Sequence, residues 1–119
     1  MDTEKLQSYY CAIEATMAII GGKYKVLIIY ELIGKTLRYS EIQRLLPIAT
    51  PRMLSRQLKE LEADGIINRV LHPVVPPKTE YSLTELGKSL VPIIYALSDW
   101  GKNYYKMRDL PWPGEDIPK

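Results

Sequence analysis

Arg52, Ser55, Arg56 and Lys59 lie close together in the chain. At about 100° per residue they gather on one side of a helical wheel, with Leu54, Leu58 and Leu61 on the other. A guanidinium is a planar fork of donors that matches paired acceptors such as N7 and O6 of guanine, whereas an ammonium is a point charge suited to phosphate. Such a face can meet base edges and a phosphate backbone while the leucines bury themselves. Arg52 and Arg56 are therefore the expected base readers, with Ser55 and Gln57 adding contacts. Lys23, Lys25, Ser40, Thr50, Lys59, Arg69 and Lys78 are expected on phosphates, which position without specifying.

The elements that must hold these residues are marked locally. Thr50 suits an N-cap, Pro51 suits the first helical position because its missing N–H costs nothing there, and Gly65 closes the helix. One amphipathic helix alone is most often an ordinary surface helix, so the reading depends on its neighbours. Before it, Ser40 to Leu46 carries a capping box in Ser40 with Gln43 and an apolar set of Ile42, Leu45 and Leu46, and is stopped by Pro47. The link from Pro47 to Ala49 is short enough to join the two helices of a helix-turn-helix. After it, Ile66 to His72 and Thr79 to Leu83 read as the strands of a hairpin whose tip, Pro73 to Lys78, is stiffened by prolines. A basic-faced helix followed by such a hairpin is how a winged helix-turn-helix presents itself to duplex DNA. The helix then enters the major groove and the wing meets the flanking backbone or minor groove.

Upstream, Ile13, Met17 and Ile20 recur at helical spacing from Ala12 to Ile20, ended by Gly21-Gly22 as residues able to take positive φ. Lys23 to Ile33, ended by Gly34, is a second and densely apolar helix, and Leu37 to Tyr39 is a minimal strand. Downstream, Thr84 caps a long helix with Leu86, Leu90, Ile93, Ile94, Leu97 and Trp100 at three- and four-residue spacing, bent at Pro92. That stripe exceeds what a small domain needs for itself, so a homodimer is expected. Its interface is assigned to Ile13, Met17, Leu90, Ile94, Leu97 and Trp100. The fold class is thus α+β and mostly helical, a winged helix-turn-helix whose N- and C-terminal helices form the dimer interface. Residues 1–10 read as an N-terminal arm, 11–108 as the domain with its dimerisation helices, and 109–119, rich in proline and acid, as an irregular tail.

A chain of 119 residues with a 46% apolar and 25% charged composition fits one ordinary soluble domain. The formal charge is only +2, yet Lys23 to Arg69 holds nine Lys and Arg against five acids, an excess located where the motif lies. The N-terminal residues lack the apolar core of a signal peptide, and no apolar run approaches the ~20 residues of a membrane span, so the cytoplasm is the expected compartment. One cysteine, Cys11, agrees with that compartment and excludes an intrachain disulfide.

Gly22-Lys23 is not a phosphate loop, because Met17 stands where its first glycine belongs and Tyr24 replaces the required Ser or Thr. Along the chain His72 stands beside no clustered Cys or carboxylate, so no metal site is expected. No nucleophile has a base at motif spacing, so neither an enzyme nor a cofactor is expected. The nine tyrosines, in a chain with no phenylalanine, could stack on bases, but Tyr30 and Tyr95 sit at apolar-periodic positions where packing is the simpler role.

Three segments, CAIEATMAIIGGKYK (11–25), LRYSEIQRLLPIATPRMLSRQLKELEADGII (37–67) and RVLHPVVPPKTEYSLTELGKSL (69–90), resemble the HxlR-type branch of MarR-like bacterial transcription regulators. The shared features are a Cys near the first helix and a Gly-Lys before the second. They continue with a Leu-x-x-Leu-x-x-x-Gly end to the recognition helix, a proline-rich wing, and Tyr-x-Leu-Thr-x-x-Gly leading into the last helix. Ala12 stands where many relatives have Pro, and Tyr24 where they have Trp. The resemblance implies a homodimeric DNA-binding repressor or activator, repression being the expected sign, and the two-fold axis of such a dimer makes a pseudo-palindromic operator the expected partner. In several members that Cys answers to electrophiles, aldehydes or oxidants. Cys11 is accordingly the candidate sensor, and its place just before a helix, where the positive end of the dipole favours thiolate, points the same way. Two rivals stand beside this reading: control by a small apolar ligand in the dimer cleft, and a winged-helix module that binds protein.

Overall fold

In the computed structural model, described over residues 1–114, the chain runs α1 (Thr3–Gln7), α2 (Ala12–Ile20), α3 (Lys25–Glu31), β1 (Leu37–Arg38), α4 (Tyr39–Leu45), α5 (Pro51–Ala63), β2 (Ile67–His72), β3 (Lys78–Leu83), α6 (Glu85–Lys88) and α7 (Val91–Met107). The three strands form one antiparallel sheet in the order β1-β3-β2. Its register places Arg69 opposite Tyr81, His72 opposite Lys78, and Leu37 on the far side of Tyr81. The inward row of the sheet, Leu37, Ile67, Tyr81 and Leu83, is buried, as the two-residue period of a half-covered sheet requires. Against it pack Ile28, Ile29 and Leu32 from the α3 region, Ile42 from α4, and Leu54, Leu58 and Leu61 from α5. This is the winged helix-turn-helix architecture.

The turn between β1 and α4 differs from expectation. Arg38, still extended at φ −81° and ψ 159°, is the N-cap, and its backbone N–H donates to Oε1 of Glu41 at 2.9 Å. That bond, more than the Arg38 side chain, holds the Glu41 carboxyl below its ordinary range. The strand therefore feeds the helix without a spacer, and Ser40 lies inside the first turn rather than at its cap. At the other boundaries Thr50 caps α5 by accepting from the Met53 N–H at 3.2 Å, while Gly34 and Gly65 take φ of 69° and 76°. Gly21 ends α2 at φ −79° and uses no left-handed conformation.

The expected long C-terminal helix is two helices. Pro92 has no N–H to bond the Lys88 carbonyl, and its ring excludes that carbonyl from the helical position; α6 ends at Lys88 and Pro92 lies in the first turn of α7. Thr84 caps α6, accepting from the Gly87 N–H at 2.9 Å. A side chain at Gly87 would run into the Ile66 carbonyl, so helix and wing base meet at glycine distance. Within the stretch read as an arm, Asp2 caps the short α1. Asp109 to Gly114 carry no helix or strand, and residues 115–119 of the expected tail lie outside the described residues.

Candidate nucleic-acid interface

The site is built on α5. Leu54, Leu58 and Leu61 are buried, which turns Arg52, Arg56 and Lys59 to solvent on the opposite side, with the Arg56 side chain 79% exposed. The start of α5 is fastened to α4. The Tyr39 hydroxyl donates to the Pro51 carbonyl at 3.2 Å, and the half-buried Ser55 Oγ donates to the Tyr39 oxygen at 3.3 Å. Ser55 thus spends its proton on a joint between the two helices of the motif. The wing tip lies beside the start of α4, since Val74 to Thr79 share a groove with Arg38, Tyr39 and Ser40. Arg69 and Lys78 are exposed on the wing, Ser40 and Thr50 at the starts of their helices, and Lys23 beside Tyr24 with its amine 5.4 Å from the ring centre.

Two of the expected contacts are buried and engaged within the chain. Gln57 is 6% exposed, and its Oε1 accepts the Tyr24 N–H at 2.8 Å. Its amide oxygen closes an open donor at the start of α3, so that oxygen serves the interior. Lys25 is 5% exposed, with its Nζ 2.6 Å from Glu60 Oε2. A buried cation needs its counter-ion, so Lys25 serves the interior and not a phosphate. Glu60, which the sequence reading did not single out, accepts on its other oxygen from Arg56 Nε at 3.3 Å. The Lys25 hydrogen bond, ahead of the charges of Lys25 and Arg56, holds the Glu60 carboxyl below its ordinary range. Its spacing of four from Arg56 was the available signal; the link to Lys25 had none.

The other expected sites separate in the same way. Ile13, Met17, Leu97 and Trp100 are exposed, whereas Leu90 is half-buried and Ile94 is 2% exposed within the core of its own chain. Ile94 is therefore removed from the expected dimer contacts. Cys11 is an exposed free thiol at the N-cap of α2 and makes no side-chain capping bond there.

A short helix, a second helix with a cationic outer face, and a wing beside it define a transcriptional regulator of the helix-turn-helix class. The HxlR-like helix-turn-helix family model matches residues 19–109, and the chain belongs to that family. An uncharacterized HTH-type transcriptional regulator of Methanothermobacter thermautotrophicus is 52% identical over 96 residues, 81% of this chain and 73% of the relative. Among solved structures, the HTH-type regulator ytcD is similar with a TM-score of 0.78 at 48% identity, over 81% of this chain and 98% of that one. The redox regulator HypR in its oxidized form gives 0.75 at 42% identity, over 90% and 100%. The family and these relatives are transcriptional regulators, not enzymes. Among the described residues no helix is long and apolar enough to cross a membrane.

Proposed function

We propose that this protein is a cytoplasmic, homodimeric repressor that binds a pseudo-palindromic duplex operator, with α5 in the major groove and the β2–β3 wing on the flanking backbone or minor groove. The observation that carries the reading is the division of α5: leucines inward, and Arg52, Arg56 and Lys59 outward, on a helix whose start is bonded to Tyr39, a residue that also borders the wing-tip groove. Base reading falls to Arg52 and Arg56, with the Ser55 oxygen as an added acceptor. Lys23, Ser40, Thr50, Lys59, Arg69 and Lys78 take the phosphates. Selection of bound sequences from random duplexes, followed by titration at several salt concentrations, tests this directly. The reading requires a dyad-symmetric consensus and an affinity that falls steeply with salt. Sequence-independent or absent binding would favour a protein-interaction module.

A second reading concerns input. Cys11 is exposed at a helix N-cap, and the structurally similar HypR is a redox regulator. Thiol modification at Cys11, beside the exposed Ile13 and Met17, would then alter how two copies sit and hence the spacing of their α5 helices. Operator binding by wild type and Cys11→Ser before and after diamide is the test. Equal responses of the two proteins remove Cys11 from the mechanism and turn the search to an apolar ligand.

A further inference from the structure

Glu60 is an acid on a face otherwise prepared for a polyanion, and both its oxygens are engaged. Oε2 lies 2.6 Å from the Lys25 ammonium, whose side chain is only 6% exposed, and Oε1 lies 3.3 Å from Arg56 Nε. A surface Glu–Arg pair four residues apart on a helix is ordinarily weak, because both side chains lose rotamer freedom to form it. Here one partner is already fixed. Lys25 stands in the first turn of α3 next to Tyr24, whose N–H is held by Gln57 of α5. The carboxylate thus arrives at Arg56 with its orientation set by the interior of the protein.

We propose, resting on the DNA-binding reading above, that Glu60 is a positioning residue for base readout. Anchored by buried Lys25, it grips Arg56 through Nε and thereby leaves the two terminal nitrogens of the guanidinium directed together at N7 and O6 of a guanine. The atom that is gripped matters. A carboxylate on the terminal nitrogens would use up the fork that a bidentate contact needs, whereas one on Nε fixes the plane and leaves the far edge open. Occupied by two cations, Glu60 is also unavailable to accept from a cytosine amino group, so it acts on sequence only through Arg56. Among the described residues Arg52 makes no such ion pair, and it follows the ordinary rules of an exposed arginine.

Glu60→Gln discriminates this role from simple structural support. The single carbonyl oxygen of the glutamine goes to the Lys25 ammonium, and its NH2 then faces Arg56 Nε donor to donor. Removing an acid from the DNA face also lowers repulsion of phosphates. Discrimination should therefore fall while non-specific affinity holds or rises, opposite movements that loss of folded protein cannot produce.

The measurement is binding of the selected operator and of a copy with 7-deazaguanine, which lacks N7, at one guanine per half-site. Wild type should lose about tenfold on that replacement, a typical share of a bidentate contact. Arg56→Ala and Glu60→Gln should each lose little further. Lys25→Met with Glu60→Leu, which removes both members of the pair and leaves Arg56 no acceptor at that position, keeps the test valid if the single variant folds poorly; it should behave as Glu60→Gln does. Undiminished sensitivity to 7-deazaguanine in the Glu60 variants would overturn the proposal, as would losses from Arg56→Ala and Glu60→Gln that simply add. A wild type without sequence preference would overturn the DNA-binding reading itself, a result distinguishable because it appears before any variant is made.

Discussion

The Tyr24 backbone N–H donates to Gln57 Oε1 at 2.8 Å, a buried bond between residues 33 apart in the chain. It joins the start of α3 to the middle of α5 and satisfies a donor that a helix N-terminus leaves open. Cutting Gln57 to Ala strands that N–H away from water and opens a small void. A loss of about 1–3 kcal/mol in chemical denaturation is expected. Per folded molecule, operator discrimination should not change. A variant of native stability with relaxed sequence preference would return Gln57 to the list of base readers.

Gln57 is buried for a reason visible in the helix itself. It lies about 60° from Leu54 on the wheel, beside the apolar stripe rather than opposite it, and its polar type hid that placement. Local signals did better: Thr50, Pro51 and Gly65 set the bounds of α5 because caps act within a few residues of themselves. The Ser40 and Gln43 box lost to Arg38 and Glu41, since β1 runs straight into α4 and a strand residue serves as the cap. Pro92 marks a disruption in the sequence, but whether it bends or breaks a helix depends on what the freed segment packs against. The union of Lys25 with Glu60 crosses from α3 to α5, and no spacing rule along a chain can anticipate such a pair.

Two carboxylates give acid behaviour of opposite sign. Burial, only partly offset by Lys35, raises the Glu31 carboxyl above its ordinary 4.5, so its ionised form costs stability at neutral pH and the cost vanishes once pH falls below that value. Glu31→Gln should raise Tm at pH 7, with the gain shrinking to nothing below about pH 4. Glu60, lowered mainly by the Lys25 hydrogen bond, contributes stability that is complete above 4.5 and lost as pH falls through its own lower value. Melting curves of wild type, Glu31→Gln and Glu60→Gln between pH 3 and 7 check both signs. A Glu31→Gln gain that persisted undiminished at pH 3 would refute the burial argument.

Arg52 and Lys78 should fail in different ways. Arg52 projects from the first turn of α5, where N-terminal residues of a recognition helix meet base edges, and Lys78 stands at the base of the wing tip opposite His72. Arg52→Ala should cost about 1–3 kcal/mol on the selected operator and relax preference at one position per half-site. Lys78→Ala should weaken all duplexes alike and reduce the slope of log affinity against log salt by about one unit per protomer. Titrations of operator and random duplex at several salt concentrations separate the two patterns. Exchanged behaviours would mean that the wing reads sequence and the helix start only docks.

Assembly carries the last expectation. α7 has 17 residues, about 25 Å of helix at 1.5 Å per residue, yet only Ile94 along it is buried. Leu97, Trp100 and Tyr104 follow one another at three- and four-residue spacing and are exposed, with Trp100 69% exposed and stacked on Tyr104 at 5.6 Å. On α2, Ile13 and Met17 repeat the pattern. Apolar surface of this extent on a helix that projects from the core has its simplest partner in a second copy, related by a two-fold axis that also sets two α5 helices ~34 Å apart, one turn of DNA. Trp100→Glu and Leu97→Glu place charges on that surface without touching the core around Ile94. Sedimentation should show wild-type dimers at micromolar concentration and monomers for the Glu variants, with melting temperatures falling toward a concentration-independent value. Operator affinity should drop by two or more orders of magnitude, because each half-site would then be bound alone. Wild-type monomers that still select a dyad-symmetric site would place dimerisation on the DNA rather than before it. Glu variants that remained dimeric would move the interface away from α7 altogether.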